Sequence, residues 1–553
     1  MAQFINAKED IIQDALNGLV AASGGRLSRL DGYPFIRVML RSDWDKSKVA
    51  VISGGGSGHE PAHAGFVGAG MLTAAICGDV FASPSVDAVL AGIRAVTGEA
   101  GCVLIVKNYT GDRLNFGLAA ARARELGLKV NMVIIQDDIA IPGITQPRGV
   151  AGTLFVHKIA GATAEAGGDL DAVTEAAERA AGNVFSIGMS LSTCTMPGGA
   201  REDRLAEGEI ELGLGIHGEP GAEKLRFETA GQALSVAIKR LEPHLKASGY
   251  VAMLNNLGGT TTLEMSILAE TLRTSRIGDR ISHLIGPASM MTALDMHGFS
   301  ISLYPADRED LERLAAATPI SAWPGLNSFA APGLVALPAE DAAARFSPSS
   351  HPQTEAFLKS CCAALIDAER DLNALDAKSG DGDTGTTLAT AARAILDGVE
   401  RLPLADQTLL LRAIGQTLSE TMGGSSGVLL AIFFSAAAEA SAENCDLIAA
   451  LSAGLSRMQD VGGAKPGDRT MIDALAPALQ SLEDGVGAAA RAARTGANAT
   501  TEMTRANAGR ASYVGASQLA GHTDPGAEAV ARLFEHIATR AERDEWVAHR
   551  NPS

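Results

Sequence analysis

Short apolar runs rich in β-branched residues punctuate the first part of the chain. Val49-Ala50-Val51-Ile52, Cys102-Val103-Leu104-Ile105-Val106 and Asn131-Met132-Val133-Ile134-Ile135 each suit a strand buried on both faces. Alanine-rich stretches lie between them, such as residues 118–126, and these suit helices. The alternation predicts βαβ units around a mostly parallel sheet. Residues 250–254, 281–285 and 300–303 read as further strands, and 152–185 and 264–273 as helical stretches. Residues 1–45 read as a helical entry segment with a turn at Asp31-Gly32.

The pattern changes at residues 329–353, where Pro332-Gly333, Pro338 and Ser347-Pro348-Ser349-Ser350-His351-Pro352 read as an interdomain linker. Beyond it the strand pattern stops. Residues 354–376, 387–399, 405–422, 427–442, 448–461, 470–490, 498–510 and 527–543 carry helical periodicity. The expected organisation is therefore an α/β domain over 1–328, a linker over 329–353 and an all-α domain over 354–553. A chain of 553 residues is too long for one core, in agreement with that division.

Charge and cysteine content narrow the function classes. A net charge of −18 argues against a nucleic-acid partner, which would require basic patches. Cys77, Cys102, Cys194, Cys361, Cys362 and Cys445 show no CxxC spacing and read as thiols in a reducing compartment. Met1-Ala2-Gln3-Phe4 starts no signal peptide, and the most apolar run, 428–434, is too short to cross a bilayer. A cytoplasmic protein with no membrane partner is expected.

Three features carry candidate chemistry. The first is Asp376-Ala377-Lys378-Ser379-Gly380-Asp381-Gly382-Asp383, followed by Thr384-Gly385-Thr386-Thr387. If its three carboxylates converge, each close pair repels by roughly 4 kcal/mol at an effective dielectric of 20. Oxygen-only ligands select a hard cation, magnesium or calcium, and the threonines and backbone N–H groups that follow suit phosphate oxygens. The same residues also suit an acidic surface turn. The second feature is the set of polar strand ends: Ser53-Gly54-Gly55-Gly56-Ser57-Gly58-His59, then Lys107 to Asp112, then Asp137. Open α/β sheets bind ligands at the carboxyl ends of their strands. The third is His217, within Gly213-Leu214-Gly215-Ile216-His217-Gly218-Glu219-Pro220-Gly221, which reads either as a buried structural histidine or as one open to a ligand. The turn at Gly54 to Gly58 is not GxGxxG in the dinucleotide spacing, and no Walker A motif occurs in the chain, so any nucleotide is held in another way.

Seven motifs in order resemble the dihydroxyacetone (glycerone) kinases in their ATP-dependent, single-chain form. They are Gly54 to His63, Lys107-Asn108-Tyr109-Thr110-Gly111-Asp112, Gly213 to Gly221, Gly380-Asp381-Gly382-Asp383-Thr384-Gly385, Gly423-Gly424-Ser425-Ser426-Gly427, Lys465 to Met471, and Gly509-Arg510-Ala511-Ser512-Tyr513. The resemblance implies a ketone-binding K domain of two α/β subdomains, followed by a nucleotide-binding L domain built as an antiparallel barrel of eight helices. It implies that a ring nitrogen of His217 adds to the ketone carbon as a hemiaminal. Gly56, Ser57, Gly58, His59, Lys107 and Asp112 would then surround the triose, with Asp112 and His59 taking the proton of the attacking hydroxyl. Asp376, Asp381 and Asp383 match ligands of two magnesium ions bound with ATP. Thr384, Gly385, Thr386, Thr387, Ser425, Ser426, Gly467, Arg510, Asp524, Pro525 and Gly526 match nucleotide contacts.

A sister branch of the family uses a phosphocarrier protein and has a histidine after the last aspartate of the acidic loop. This chain has Thr384 there, which favours free ATP as donor. The resemblance also implies a homodimer through the K domain. Alternatives within the family are a four-carbon ketose such as erythrulose as acceptor, cyclising cleavage of FAD, and a non-catalytic sensor. Retention of His217, Asp112 and the three aspartates argues against the last.

Overall fold

The computed structural model describes residues 3–199, 204–213, 215–246, 249–338, 346–443 and 446–550, with the side chains of Arg510 and 544–550 outside the description. Cys445 and Leu214 lie outside the described residues. The chain divides into two compact units, Met1–Val335 and Ala336–Ser553.

The first unit holds two sheets. Strands β1 (Leu27–Arg29), β2 (Val38–Arg41), β3 (Ala50–Ser57), β4 (Ala74–Val80), β5 (Cys102–Lys107) and β6 (Val130–Ile135) form one, in the order β1-β2-β4-β3-β5-β6. Its centre is parallel, β4-β3-β5-β6, as the continuous apolar runs predict, because helices cover both faces. The entry segment differs from expectation. It forms one helix, Ile11–Ala22, then the edge strand β1 and its neighbour β2, which pair antiparallel. Strands of three and four residues are too short to leave a period-2 pattern.

The second sheet contains β7 (Phe185–Ser190), β8 (Glu209–Leu212), β9 (Glu223–Arg226), β10 (Tyr250–Asn256), β11 (Ile281–Ser289), β12 (Gly298–Tyr304) and β13 (Leu326–Ser328). Only β10 and β11 pair in parallel; the other ladders are antiparallel, so a mostly parallel arrangement holds for the first sheet alone. A single bridge, Asp138 to Ser186, joins the region after β6 to β7. That junction sets the polar end of the first sheet beside the second.

The second unit is all helical. Helices Pro352–Asp367, Thr384–Gly398, Gln407–Thr421, Gly424–Ala442, Leu447–Gly462, Ile472–Gln480, Val486–Ala499 and Pro525–Arg550 pack each on the next, and the last packs on the first. This closes an eight-helix barrel. Members joined by short connections run antiparallel, so alternate connections share one end. That end receives 377–383, 422–423, 463–471 and 500–524, which carry the polar glycine motifs of this half.

Three details depart from the sequence reading. The stretch 354–376 breaks into Pro352–Asp367 and Glu369–Asp376. The stretch 470–490 breaks at Gly485, whose φ of 98° ends helical geometry. Residues 498–510 form no continuous helix, and the seventh member is Val486–Ala499 instead. Helix Gly424–Ala442 is long and apolar enough, by length and composition, to cross a membrane. In this fold it lies between two neighbours of the barrel.

Candidate active site

In the α/β unit, His59, Lys107, Asp112 and His217 converge from four segments. His59 follows β3, and its Nδ1 lies 2.8 Å from the Thr292 carbonyl. A carbonyl only accepts, so Nδ1 carries the proton and Nε2 keeps its lone pair. That Nε2 is buried and has no protein partner. Burial, helped by the charge of Lys107, holds the ring's pKa well below its usual value, so the ring stays neutral. Lys107, the last residue of β5, is fully buried and its Nζ is also unpartnered. Burial lowers its pKa, and Asp112 opposes that shift. Asp112 sits in the first turn of helix Thr110–Glu125, and burial raises its carboxyl pKa.

Gly55 lies alongside this pair. A Cβ built there would stand 3.5 Å from both Asp112 Oδ2 and Lys107 Nζ, so the missing side chain leaves room beside them. Gly56 runs against the backbone at Phe81 and Ala82. Ser57 donates its hydroxyl to the Gly78 carbonyl at 2.9 Å, and Gly58 N–H donates to the Glu60 carboxylate.

His217 lies on a turn after β8. Its ring is edge-on to Tyr109 at 4.5 Å between centroids, to His59 at 4.9 Å and to Phe81 at 5.3 Å. His217 Nδ1 lies 3.1 Å from Glu219 Oε1, and the backbone N–H of His217 donates to Glu219 Oε2 at 3.1 Å. Contact with His217 pushes the Glu219 carboxyl down to about 2 despite its burial. An ionised carboxylate offers no proton, so Nδ1 carries one, and in the neutral ring Nε2 presents a lone pair. A neutral imidazole with a bare nitrogen can act as a nucleophile. Asp137 has a different part. It accepts from Val150 N–H, Gly152 N–H and Ser186 Oγ, and so anchors the start of the next helix.

In the helical unit, Asp376, Asp381 and Asp383 bring carboxylate oxygens within 4.8 Å of one another. This is the one group of metal-ligand type found among the described residues. Asp376 is buried, and its Oδ2 accepts from Asp383 N–H at 3.0 Å and Thr384 N–H at 3.2 Å. The loop is thus wound around one of its own carboxylates, and helix Thr384–Gly398 starts where it ends. Three carboxylates this close fit a hard divalent cation. Thr386 bonds Asn373 through both its N–H and its hydroxyl. Ser425 and Ser426 are exposed in the first turn of helix Gly424–Ala442. Gly467 N–H and Thr470 N–H both donate to Asp473. Asp524, Pro525 and Gly526 open the last helix, where Asp524 Oδ2 accepts from Ala527 N–H. A Cβ on Gly526 would stand 3.1 Å from Met471 Cβ, so this turn meets the 463–471 connection.

Arg510 is on a short helical turn, with its side chain outside the described residues. Sequence reasoning did not single out Tyr109, Phe81, Thr292 or Arg469 as site residues. Arg469 is buried and bonds the carbonyl of His522, tying two of the shared-end connections together. Glu219 had a usable signal in its position two residues after His217, and Tyr109 and Arg469 had one in their places inside the motifs Lys107 to Asp112 and Lys465 to Met471; Phe81 and Thr292 had none.

Residues 17–322 match the Dak1 domain family and residues 378–539 the DAK2 domain family. A dihydroxyacetone kinase of Citrobacter freundii is 48% identical over 545 residues, covering 97% of this chain and 98% of the relative. The chain belongs to the dihydroxyacetone kinase family. Another relative in this family, a triokinase/FMN cyclase of Bos taurus, is 42% identical over 573 residues, covering 97% of this chain and 98% of the relative. Among solved structures, the C. freundii dihydroxyacetone kinase in complex with AMP-PNP and Mg2+ is similar with a TM-score of 0.66 and 46% identity, covering 98% of this chain and 99% of that one.

Proposed function

We propose that this protein transfers the γ-phosphoryl group of ATP to a hydroxyl of dihydroxyacetone, giving dihydroxyacetone phosphate. The observation that carries the ketone half is the pairing of His217 Nδ1 with Glu219, which leaves Nε2 as a nucleophile. The Nε2 lone pair forms a bond to the carbonyl carbon while the C=O π pair moves onto oxygen. That oxygen takes up one proton from solvent, and the ring is left cationic opposite Glu219. The product is a hemiaminal. Glycerol has no such carbon, so the anchor separates ketone from polyol.

Lys107 and the cleft at Gly55 and Gly56 suit the triose oxygens, with Ser57 and Gly58 shaping its wall. As the free hydroxyl attacks the γ-phosphorus, its proton passes to Asp112 or to His59 Nε2; both are buried, and burial keeps the His59 ring neutral. The bond from γ-phosphorus to the leaving ADP oxygen breaks in the same displacement. In the helical unit, Asp376, Asp381 and Asp383 would hold magnesium, which neutralises phosphate charge when bound. Thr384, Gly385, Thr386, Thr387, Ser425, Ser426, Gly467, Arg510, Asp524, Pro525 and Gly526 are assigned to the nucleotide. Their support is that four alternate connections of one barrel carry them.

Finer assignments go with this reading: two magnesium ions, a homodimer through the α/β unit, and a cytoplasmic location in keeping with free thiols at Cys77, Cys102, Cys194, Cys361 and Cys362. The deciding experiment has two arms. Native mass spectrometry of the protein mixed with dihydroxyacetone alone should show a gain of the ketone's mass, which glycerol does not give. ADP release with a panel of ketoses should be fastest with dihydroxyacetone. No adduct, or ADP release indifferent to the ketone, overturns the assignment.

A further inference from the structure

We infer that Arg148 is a positioning residue for His217: it acts through Glu219 and the loop backbone, and is itself held by Asp138. The inference rests on the reading of His217 given above. Arg148 comes from the segment after β6, about seventy residues before His217 in the chain, and no motif in the sequence marks it. Its side chain is largely buried, bonds two groups and lies beside a third. Nε donates to Asp138 Oδ2 at 2.8 Å, and Nη2 approaches the same oxygen at 2.6 Å. Nη2 also donates to the Gly213 carbonyl at 2.7 Å, at the root of the loop that carries His217. Nη1 faces Glu219. A Cβ built on Gly215 would fall 2.7 Å from Arg148 Nη1 and 1.9 Å from Glu219 Oε2, so guanidinium and carboxylate crowd one point that only glycine leaves open.

The base of this chain is fixed to the fold. Asp138 Oδ1 accepts from Ala140 N–H at 2.9 Å, Asp138 N–H donates to the Arg148 carbonyl, and Asp138 bridges to Ser186 of β7. Charges alternate along it: Asp138 carboxylate, Arg148 guanidinium, Glu219 carboxylate, then the His217 ring. An arginine is always charged and presents donors in a planar fork, so it holds Asp138 and the loop carbonyl in one geometry while its charge stands beside the Glu219 carboxylate. Glu219 in turn keeps its two oxygens on the N–H and Nδ1 of His217. The Tyr109 hydroxyl is buried without a partner, and Arg148, Glu219, Asp138 and Asp137 are the charged groups that act on it. With Arg148 removed, Glu219 has a second place to turn, and the proton of His217 is no longer confined to Nδ1.

The test reads the ring itself as well as the reaction. Histidine 15N spectra of the protein without ligand should show His217 protonated on Nδ1, assigned by loss of the signal in His217→Ala. In Arg148→Met the two nitrogens should move toward each other as the tautomers mix. The KM for dihydroxyacetone should rise about ten- to hundredfold, the range of a lost hydrogen bond to a charged group, while kcat falls less than about threefold. Arg148→Lys keeps the charge without the fork and should fall between, and it serves if Arg148→Met loses the fold. Asp138→Asn should move the spectrum in the same direction by less. Nitrogen shifts and KM unchanged in both Arg148 variants overturn the inference. So does a fall in kcat alone with the tautomer intact. The spectrum needs neither ketone nor ATP, so a wild-type protein with the Nδ1 tautomer but no adduct would count against the proposed function and not against this inference.

Discussion

The two candidate centres solve opposite electrostatic problems. In the α/β unit the working groups are buried, and burial pushes each toward its neutral form: His59 and Lys107 downward, Asp112 upward. The cage is aromatic, and the one firmly ionised group touching His217 is Glu219, on the side away from the bare nitrogen. In the helical unit Asp381 and Asp383 are exposed, and charge accumulates at helix ends where backbone N–H groups and water absorb it. A covalent anchor needs a neutral nucleophile, so its site is dry. A polyphosphate needs cations and N–H donors, so its site is open and acidic until metal binds. On the proposed reading the reaction is divided: one unit would supply a bond to carbon, the other charge to phosphate.

The division can be broken from either side, and the largest effect should come from the acidic loop. Asp381→Ala or Asp383→Ala should lower kcat on the order of a thousandfold or more, as loss of a group that neutralises transferring phosphate does. Adduct formation with dihydroxyacetone should be untouched. Near-normal turnover in either variant would refute the metal assignment, and loss of the adduct would refute the division. His217→Ala is the mirror image. Its KM for the ketone should rise about a hundredfold or more and the adduct mass should vanish, with the KM for ATP unchanged. An alanine variant that still gains the ketone's mass would make His217 structural.

How much of this was legible in the sequence follows the same division. The central strands were readable because both faces are buried and each is a continuous apolar run, as at Val51, Ile105 and Ile135. Strands β1 and β2 were not, being too short to show a period. The barrel was readable as helices, but 498–510 departs from the helix expected because alanine, glutamate, methionine and arginine there satisfy helix propensity while the chain turns so that Asn507 bonds Asp468 and Thr500 bonds Asp524. His59, Asp112 and His217 are marked by glycine-rich motifs. Thr292, Arg148 and Phe81, which set tautomer, orientation and cage, meet them only through the fold and carry no local signal. Asp137 was legible as a polar strand end, yet its lone pairs are spent on backbone N–H groups, which a sequence cannot show.

A smaller effect sharpens the account of the buried base. Because burial raises the Asp112 pKa, its carboxyl takes up a proton at a higher pH than an ordinary carboxylate of about 4. The acid limb of kcat should therefore lie above that range. Measured across pH with saturating ATP and ketone, a limb at or below it would mean that Asp112 is not desolvated in the working enzyme.

The smallest expected effect is on stability and comes from Asp524, the one carboxylate of the open site that resembles the dry one. It is buried at the start of the last helix, and burial pushes its pKa up from 3.8 to about 6. A carboxyl raised on folding binds more protons in the native state than in the unfolded one between those values. Stability should then increase as pH falls through 6 toward 4, and above 6 the folded chain bears the full cost of the buried charge. Two pKa units correspond to about 3 kcal/mol at most. Asparagine keeps an oxygen for the Ala527 N–H while removing the charge, so Asp524→Asn should raise the melting temperature of the helical unit at pH 7 by several degrees. The difference from wild type should shrink at pH 5, where Asp524 is already protonated. If the turn contacts the nucleotide as proposed, the KM for ATP should rise in the same variant. A melting temperature that falls at pH 7, with a difference independent of pH, would show that the carboxylate stabilises the turn through its attraction to Arg469 more than burial destabilises it.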